Sequence, residues 1–207
     1  MKIRRYVEEN YDGNCYSIIN DQQAIIIDPA VDRLKLQLDK TTKIVAVILT
    51  HAHFDHFIAL ESYLDEDIPI YLHPYAVNKL ANPLKNFSCF CTPKVAIKVP
   101  ERFVRLTADK QELSLANLHL KIMHTSGHSN CSQCIIIDDV IFTGDTLFKD
   151  CVGRTDLPTG DSKSLRQSLT RLYDLCCNYT IYPGHGEATT LEAEKMTNLY
   201  LKGEQDV

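Results

Sequence analysis

The stretch Thr50-His-Ala-His-Phe-Asp-His56 decides how this chain is interpreted. It directly follows the apolar run Ile44 to Leu49, whose length and composition predict a buried β-strand. Three of the chain's eight histidines and one aspartate fall within the stretch. Side chains on a loop just past a buried strand are held by a rigid scaffold, which is where binding and catalytic residues concentrate. The stretch therefore predicts a functional site at the end of a strand.

The spacing of these side chains predicts a site for two metal ions. In an extended segment, residues two apart face the same way, so we expect His51, His53 and Asp55 to converge on one point. His56 then turns toward a neighbouring point. Imidazole and carboxylate groups without a thiolate suit zinc or iron, in a site of the catalytic kind that keeps a position for water. The alternatives are a solvated turn and an adventitious metal site.

Further candidate ligands follow three later apolar runs, and each stands beside a glycine. They are His128 in His124-Thr-Ser-Gly-His128, Asp145 in Thr143-Gly-Asp145, and His185 in Tyr182-Pro-Gly-His185-Gly186. Glycine lets the backbone pass close to a metal centre. Taken singly, a histidine or aspartate after a strand is most often a cap or turn residue. The combined order of the fragments is what indicates a metal site.

Length, charge and cysteine content restrict the class of protein. The 207 residues, 44% hydrophobic and 24% charged, predict one compact domain over residues 1–207. A formal net charge of -5 without a long Lys/Arg run predicts a small-molecule substrate and no nucleic-acid partner. Without an apolar segment typical of a signal peptide or a membrane span, we expect no membrane association, a cytoplasmic location and reduced cysteines. Cys131 and Cys134 are expected to be buried residues leading into a strand, not half of a zinc knuckle.

The order of predicted elements indicates an α/β fold, because strands alternate with helices in the first half of the chain. Besides Ile44 to Leu49, strands are predicted at Cys15 to Ile19, Ala24 to Ile27, Ile68 to Leu72, Cys134 to Ile137, Val140 to Phe142 and Thr180 to Tyr182, with a hairpin over Glu112 to His124. Helices are predicted at Asp32 to Leu38, Ile58 to Leu64, Ser164 to Leu175 and Leu191 to Leu201.

The chain resembles the metallo-β-lactamase superfamily, whose motif order is T-H-x-H-x-D-H followed by H, D and H. The resemblance covers nearly the whole chain and implies an αββα four-layer sandwich with the site at one edge. It also implies two divalent metal ions, zinc first, with iron or manganese as alternatives. By the same resemblance, one ion is held by His51, His53 and His128, the other by Asp55, His56 and His185, and Asp145 bridges both.

Three segments look like the glyoxalase II branch, the hydroxyacylglutathione hydrolases, and its short bacterial relatives. They are Gly144-Asp-Thr-Leu-Phe148, Gly153-Arg-Thr-Asp156 and Pro183-Gly-His-Gly-Glu-Ala-Thr-Thr190. The resemblance implies hydrolysis of a thioester such as S-lactoylglutathione by a metal-bridging hydroxide, which Asp55 orients. A thiolate leaves without a strong general acid. Arg154 is the candidate substrate-binding residue, with a local ion pair to Asp156 as the alternative.

Other functions stay open at this point. A persulfide dioxygenase has the same motif order and uses one iron ion, which by resemblance would sit on His51, His128 and Asp145. A lactonase, a nuclease and a metal-binding module without catalysis are further alternatives, and the negative net charge argues against the nuclease. The most studied β-lactamases carry Cys where Asp145 stands, and flavodiiron proteins carry Glu where His53 stands, so both are less expected. His73 and His124 are candidate general acids, but we expect them, and His119 on a strand face, to lie outside the chemistry.

Overall fold

Two six-stranded β-sheets form the centre of the computed structural model, which describes residues 1–64 and 67–207. The strands of the first sheet are β1 (Lys2–Val7), β2 (Asn14–Asn20), β3 (Gln23–Ile27), β4 (Lys43–Ile48), β5 (Ile70–Leu72) and β6 (Val104–Leu106). They lie side by side in chain order. The pairs β1–β2 and β2–β3 are antiparallel, whereas β3 to β6 are parallel.

The second sheet is mostly antiparallel. Its strands are β7 (Glu112–Leu115), β8 (Leu118–His124), β9 (Gln133–Ile137), β10 (Val140–Gly144), β13 (Thr180–Pro183) and β14 (Thr189–Thr190). Between β10 and β13, the chain forms a separate two-stranded ribbon of β11 (Leu147–Phe148) and β12 (Cys151–Val152). The order across the sheet is β14-β13-β10-β9-β8-β7, and only β10 and β13 pair in parallel. The parallel pair places the carboxyl ends of β10 and β13 at the same edge.

In the described part of the chain, four α-helices and several 3-10 turns cover the outer faces of the sheets. The helices are α1 (Pro74–Leu80), α2 (Ser162–Tyr173), α3 (Leu191–Thr197) and α4 (Leu199–Lys202); the 3-10 turns are Arg33–Lys35, Phe54–His56, Leu60–Tyr63, Ser88–Phe90 and Glu101–Phe103. Among the helices of the two described ranges, none has the length and apolar character needed to cross a membrane.

Alternating burial along the strands explains the layers. In β3, Ile25 and Ile27 face the core between the two sheets, whereas Ile26 faces the outer core. That outer core contains Phe57 from the loop after β4, and the equivalent core of the second sheet contains Leu165 of α2. Because side chains of a strand alternate between faces, each fully apolar strand needs cover on both sides. The expected αββα sandwich is confirmed.

The strand predictions are confirmed, with small changes in their bounds. The hairpin of β7 and β8 turns at Ala116 and Asn117, which have φ of 51° and 56°. Two consecutive residues with positive φ are the pattern of a tight hairpin turn. Five strands were not predicted: β1, β6, β11, β12 and β14. β6, β11, β12 and β14 have only two or three residues each, and β1 pairs with β2 along its whole length but has no buried residue, so it lacks a clear apolar signal.

The predicted helix at Asp32 to Leu38 is wrong. Only one 3-10 turn forms, Arg33–Lys35, and the chain becomes extended at Leu36. The i, i+4 spacing of Leu34 and Leu38 suggested a helix, but Leu34 is 86% exposed and the buried residue is Leu36. The predicted helix at Ile58 to Leu64 is likewise reduced to the 3-10 turn Leu60–Tyr63.

The last predicted helix is divided, and one helix was missed. Asn198 separates α3 from α4: its side chain accepts a hydrogen bond from the Leu201 N–H and donates one to the Cys151 carbonyl at 3.1 Å. Asn198 is therefore the N-cap of α4 and divides the predicted helix in two. The missed helix is α1, whose start at His73 and Pro74 has a side-chain cap and a proline at the first position.

Candidate metal centre

Seven side chains meet at one edge of the two sheets. His51, His53, Asp55 and His56 follow β4, His128 lies between β8 and β9, Asp145 follows β10, and His185 follows β13. The sheets are joined at this edge, because the Asn14 amide donates to the carbonyls of Pro183 and Gly186 and the Asn14 N–H donates to the Gly184 carbonyl. Buried strands thus fix the positions from which the seven side chains start.

The prediction that Asp55 joins His51 and His53 at one point is wrong in its geometry. The chain is extended only as far as His53 and then forms the 3-10 turn Phe54–His56. The Phe54 N–H bonds to the Asn86 carbonyl at 3.0 Å, a contact with a distant loop. The turn rotates Asp55 away from His51 and His53 and toward His56, so the alternation assumed for an extended segment does not apply.

The side chains form two groups with ligand atoms close enough to hold an ion each. One group is His51, His53 and His128, and the other is Asp55, His56 and His185; a third set with the same close spacing, Asp28, His51 and His56, takes its histidines from these two groups. Asp145 lies between the groups: its carboxylate oxygens are 3.3 Å from His56 Nε2, 3.4 Å from His128 Nε2 and 3.7 Å from His185 Nε2. One carboxylate therefore faces both groups at once.

In four of the histidines, a hydrogen bond at Nδ1 orients the ring so that Nε2 faces the centre. The Nδ1 atoms pair with Thr50 Oγ1 for His51 (3.2 Å), Asp28 Oδ2 for His56 (3.0 Å), the Arg154 carbonyl for His128 (2.8 Å) and the Asp12 carbonyl for His185 (3.0 Å). An acceptor at Nδ1 holds a proton there, so that Nε2 is the nitrogen each ring can offer to a metal ion. His53 has the opposite arrangement, with Nδ1 lying 2.8 Å from His128 Nε2.

Burial and charge give the two groups different proton affinities. Burial lowers the pKa of His53 to about 3 and holds the pKa of His51 well below its usual range. Burial also disfavours the charged form of His56, but Asp145 and Asp55 outweigh it and raise the pKa of His56. Burial disfavours ionisation of Asp145 too, yet His56 and His128 keep its pKa well below the usual range. In the metal-free protein, neutral His51 and His53 thus stand beside a protonated His56 and an ionised Asp145.

Asp28 is a candidate functional residue that the sequence interpretation missed. It is buried, and besides accepting from His56 it accepts from the Thr50 hydroxyl at 2.6 Å and the Thr50 N–H at 2.7 Å. One carboxylate therefore orients a candidate ligand and the start of the histidine-rich stretch. The available signal was its position directly after the apolar run Ala24 to Ile27, the same signal that identified Asp145.

Close backbone approach explains two of the glycines. A Cβ at Gly184 would collide with Asp145 Oδ1 and lie 2.6 Å from His56 Cε1. A Cβ at Gly153 would collide with the Asp145 carbonyl and lie 3.0 Å from His128 Nδ1. The expectation that glycine lets the chain pass close to the centre is therefore met at Gly184, beside His185, and extends to Gly153.

A cleft of about 380 Å³ opens onto the centre. His53, Asp55, His128, Asp145 and His185 form its floor, and its walls are mainly apolar: Tyr11, Phe54, Phe87, Phe148, Gly153 and Leu157.

Arg154 also lines the cleft. Its Nε and Nη2 atoms each donate to Asp156 at 2.6 Å, so the ion pair weighed as the alternative is present, and Nη1 has no partner among the described residues.

His73, His119 and His124 lie outside this cleft, and so do Cys131 and Cys134. His73 and His124 stack on each other with ring centroids 4.1 Å apart, and neither lines the cleft. His119 is exposed on β8 and lies 3.5 Å from Glu112. Cys131 and Cys134 are buried, and Cys134 belongs to β9, as expected. Within residues 1–64 and 67–207, no cysteine belongs to a group with metal-binding geometry.

Comparison with known proteins gives one family. Residues 10–185 match the model described as the metallo-beta-lactamase superfamily. A Bacillus subtilis protein named "Probable metallo-hydrolase YqgX" is 33% identical to this chain over 98% of its length and 99% of the relative's.

Solved structures have the same fold. The BLEG-1 B3 metallo-beta-lactamase has a TM-score of 0.88 and 32% identity, covering 98% of this chain and 100% of that one. TTHA1623 in a di-iron-bound form has a TM-score of 0.81 and 30% identity, covering 94% and 98%. ETHE1 from Myxococcus xanthus is more distant, with a TM-score of 0.75 and 25% identity, covering 98% and 85%.

Proposed function

The chain belongs to the metallo-β-lactamase superfamily, and on that premise we propose that it is a metal-dependent hydrolase of thioesters with a two-metal site. The observation that carries the proposal is the convergence of seven ligand-type side chains, five of which form the floor of one cleft. The relative named as a probable metallo-hydrolase supports the reaction class. The thioester and the number of ions are our own inference from the site.

The donor atoms of the site fit bound metal ions. Nε2 of His51, His53 and His56 and Oδ1 of Asp145 are buried without a hydrogen-bond partner among the described residues. A buried polar atom without a partner costs about 1 to 3 kcal/mol, so a cluster of four indicates a missing ligand. Zinc suits three histidines on one side and a mixed histidine and carboxylate group on the other. Iron is the second choice, which the di-iron form of TTHA1623 supports, and manganese the third.

We assign His51, His53 and His128 to one ion, Asp55, His56 and His185 to the other, and Asp145 to both. When bound, such ions supply Lewis acidity and a nucleophilic water at neutral pH. Burial disfavours ionisation of Asp55, but His56 and the hydrogen bond from His185 at 3.2 Å outweigh it and lower its pKa. Asp55 is thus ionised at neutral pH and can accept a hydrogen bond, and we propose it as the catalytic residue that orients the attacking water.

The walls of the cleft favour an apolar acyl group next to the centre. Tyr11, Phe54, Phe87 and Phe148 surround the floor and exclude bulk water from the reacting carbonyl. Arg154 is proposed as a substrate-binding residue, because Nη1 is left over from its pair with Asp156. The proposed partner is a small molecule, and the net charge of -5 argues against nucleic acid.

The leaving group favours a thioester. Water adds to the carbonyl, the C–S bond breaks as the new C–O bond is retained, and the products are a carboxylic acid and a thiol. A thiolate leaves without prior protonation, whereas an alkoxide or an amine anion requires a general acid. Neither His73 nor His124 lines the cleft, and the pKa of Tyr11 is raised above 10.0, mainly by its hydrogen bond with Cys91. The described lining thus offers no strong acid.

A second candidate function is hydrolysis of β-lactams. BLEG-1, a B3 metallo-beta-lactamase, supports it through 32% identity over nearly the whole of both chains. The most studied β-lactamases carry Cys where Asp145 stands, but the similarity to BLEG-1 makes this difference a weaker argument against β-lactam hydrolysis. Persulfide dioxygenation has less support, because ETHE1 is the more distant relative.

Hydrolysis assays on the full chain loaded with zinc or with iron distinguish these functions. The substrates are S-lactoylglutathione, the uncharged thioester S-ethyl thioacetate and the chromogenic β-lactam nitrocefin, and Asp55→Ala is the control. We expect both thioesters to be hydrolysed and the activity to be lost in Asp55→Ala without loss of the fold. Turnover of nitrocefin alone would replace the thioester proposal with the β-lactam one, and oxygen consumption with a persulfide would favour the dioxygenase.

A further inference from the structure

One aromatic side chain of the cleft wall has a strained backbone conformation. Phe87 has a φ of 69°, in the left-handed region that bulky residues rarely adopt. Its ring lines the cleft, and the ring centroid lies 6.4 Å from that of His53. A strained conformation persists only where the surrounding structure imposes it, and such residues concentrate at functional sites. The backbone of Phe87 therefore indicates a role for its ring in the cleft.

The two chain neighbours of Phe87 impose this conformation. Asn86 and Ser88 are both inaccessible to solvent. Asn86 Nδ2 donates to the Val95 carbonyl at 2.9 Å, Asn86 Oδ1 accepts from the Ser88 N–H at 3.0 Å, and Ser88 Oγ donates to the Val95 carbonyl at 3.0 Å. The Asn86 carbonyl accepts from the Phe54 N–H at 3.0 Å, which joins this loop to the turn that carries the candidate ligands. Phe87 is therefore fixed on both sides and held in place relative to the centre.

A second aromatic ring extends the apolar wall from Phe87 to the surface. The ring of Phe90 packs edge-on against that of Phe87 with centroids 5.5 Å apart, and Phe90 is 82% exposed. In the part of the chain that the structure describes, no hydrophobic core includes either residue. The two rings therefore do not serve to pack the fold. They form a continuous apolar surface that begins in the cleft and ends in solvent, and an apolar ligand gains free energy by covering it.

The position of this surface restricts what can cover it. From the centre outward, the wall passes His53, then the ring of Phe87, then the ring of Phe90. A group that covers both rings while its reacting carbonyl lies at the centre must be long, and it must be apolar because neither ring offers a hydrogen bond. A short or hydroxylated acyl group, such as acetyl or lactoyl, ends before Phe90 and leaves its ring in water.

We propose that Phe87 and Phe90 determine acyl specificity, and that the preferred substrates are thioesters of a long apolar acyl group, such as octanoyl. The proposal rests on the thioester hydrolase function proposed above. The first methylenes of the chain lie against Phe87 and its end covers Phe90. Each methylene that is fully removed from water strengthens binding about fourfold. The kcat/KM for S-ethyl thiooctanoate is therefore expected to exceed that for S-ethyl thioacetate and for S-lactoylglutathione.

Ligand-observed NMR titration of the metal-loaded full chain with two ketones tests the acyl site without any turnover. Heptyl propyl ketone and methyl propyl ketone have the shapes of S-ethyl thiooctanoate and S-ethyl thioacetate, with a methylene in place of sulfur. We expect the unchanged protein to bind the heptyl ketone more than tenfold more tightly than the methyl ketone.

Phe90→Ala is expected to weaken binding of the heptyl ketone about tenfold and binding of the methyl ketone less than twofold. Phe90→Leu, which keeps an apolar side chain, should retain most of the affinity for the heptyl ketone. The matched control is Tyr75→Ala, because Tyr75 is an aromatic residue of α1 that is 59% exposed and does not line the cleft. We expect the control to bind both ketones as the unchanged protein does.

Phe87→Asn separates specificity from folding, because asparagine tolerates a positive φ but removes the ring. We expect an unchanged Tm and a loss of the preference for the heptyl ketone over the methyl ketone. A lower Tm with the preference intact would mean that the ring serves only the fold, and the specificity role would be wrong.

Three further results would overturn the acyl site while thioester hydrolysis stands: equal affinities of the unchanged protein for both ketones, equal effects of Phe90→Ala and Tyr75→Ala, or a dimer that dissociates in Phe90→Ala with unchanged ketone affinities. The last result, measured by sedimentation, would assign Phe90 to an interface between two copies of the chain. Failure to hydrolyse S-ethyl thioacetate and S-lactoylglutathione would instead overturn the proposed function, and the ketone titrations report the acyl site independently of it.

Discussion

Asp28 holds His56 by a hydrogen bond of 3.0 Å from Nδ1, and neither residue is accessible to solvent. The same Asp28 oxygen accepts from the Thr50 hydroxyl, and the Thr50 hydroxyl lies 3.2 Å from His51 Nδ1. One carboxylate thereby orients candidate ligands in both groups of the centre. Partners of this kind fix the ring orientation and tautomer of a metal-binding histidine.

Asp28→Asn is expected to weaken metal binding about 10- to 100-fold. Asparagine has the same shape and tolerates the positive φ of 51° at this position, but its NH₂ group cannot accept the His56 proton. Competition with a chromophoric chelator measures the affinity. The control is Asp32→Asn, since Asp32 caps the Leu34 N–H and belongs to neither group of candidate ligands. Equal affinities in Asp28→Asn and Asp32→Asn would show that Asp28 does not support the centre.

Gly184→Ala is expected to disrupt the centre without removing any ligand. The added Cβ collides with Asp145 Oδ1 and crowds His56, so both ligands must shift. We expect at least a tenfold loss of metal affinity, about 1.4 kcal/mol. Gly186→Ala is the control: it carries the strain of a positive φ of 73°, but its Cβ meets no atom within 4 Å. Metal binding that is lost equally in both variants would attribute the effect to backbone strain.

The candidate ligands were predictable from the sequence because each follows an apolar strand and most have a glycine nearby. What the sequence did not show is how the ligands divide. The 3-10 turn at Asp55 depends on the Phe54 N–H reaching the Asn86 carbonyl, a contact between residues far apart in the chain. Similarly, the carbonyls of Asp12 and Arg154 orient two histidines through backbone atoms, which no residue type reveals.

The fold was predictable where one pattern dominated a segment. Runs such as Ala24 to Ile27 are buried on both faces and have the composition of central strands, so the predictions there are confirmed. The predictions were wrong where a few apolar residues at helical spacing lay in a loop, as at Leu34, because the residue that is buried there is Leu36. The cleft walls could not be anticipated, since Phe87 reaches the site from a connection without periodicity.

Acid is expected to abolish the stabilising contribution of Asp109. Burial opposes ionisation of this carboxyl, but hydrogen bonds from Arg171 and from the His124 N–H outweigh it and lower its pKa below 3.8. A depressed pKa in the folded state stabilises the protein above the unfolded-state value, and the effect is lost as the pH falls through the folded-state value. Because both side chains are 38% exposed, we expect at most about 1 kcal/mol at pH 7.

Urea denaturation of the metal-free protein at pH 7 and pH 3, with Asp109→Asn alongside, measures this contribution. The difference in free energy of unfolding between the two proteins should shrink toward pH 3, where the carboxylate becomes protonated. A difference that stays constant with pH would mean that the charge of Asp109 adds nothing to stability.

Lys79 is expected to position His128. Its side chain is 3% exposed, and Nζ donates to Ser129 Oγ at 2.6 Å and to Thr159 Oγ1 at 2.7 Å. Ser129 is the neighbour of His128, and Thr159 closely follows the segment of Arg154 that lines the cleft. Among the described residues no carboxylate pairs with Lys79, and burial lowers its pKa. A buried cation without a counter-ion is costly, which indicates a role in holding these two loops together.

Lys79→Met preserves the length and apolar stem of the side chain but removes all three donors. We expect the protein to stay as stable as before or to become more stable, because an unpaired buried charge is removed, while kcat falls about tenfold or more through misplacement of His128. Thermal unfolding and steady-state kinetics measure the two effects separately, and Lys85→Met is the control on the exposed surface nearby. If Lys79→Met lowers stability and leaves kcat of the folded protein unchanged, Lys79 supports only the packing of α1 and has no part in positioning His128.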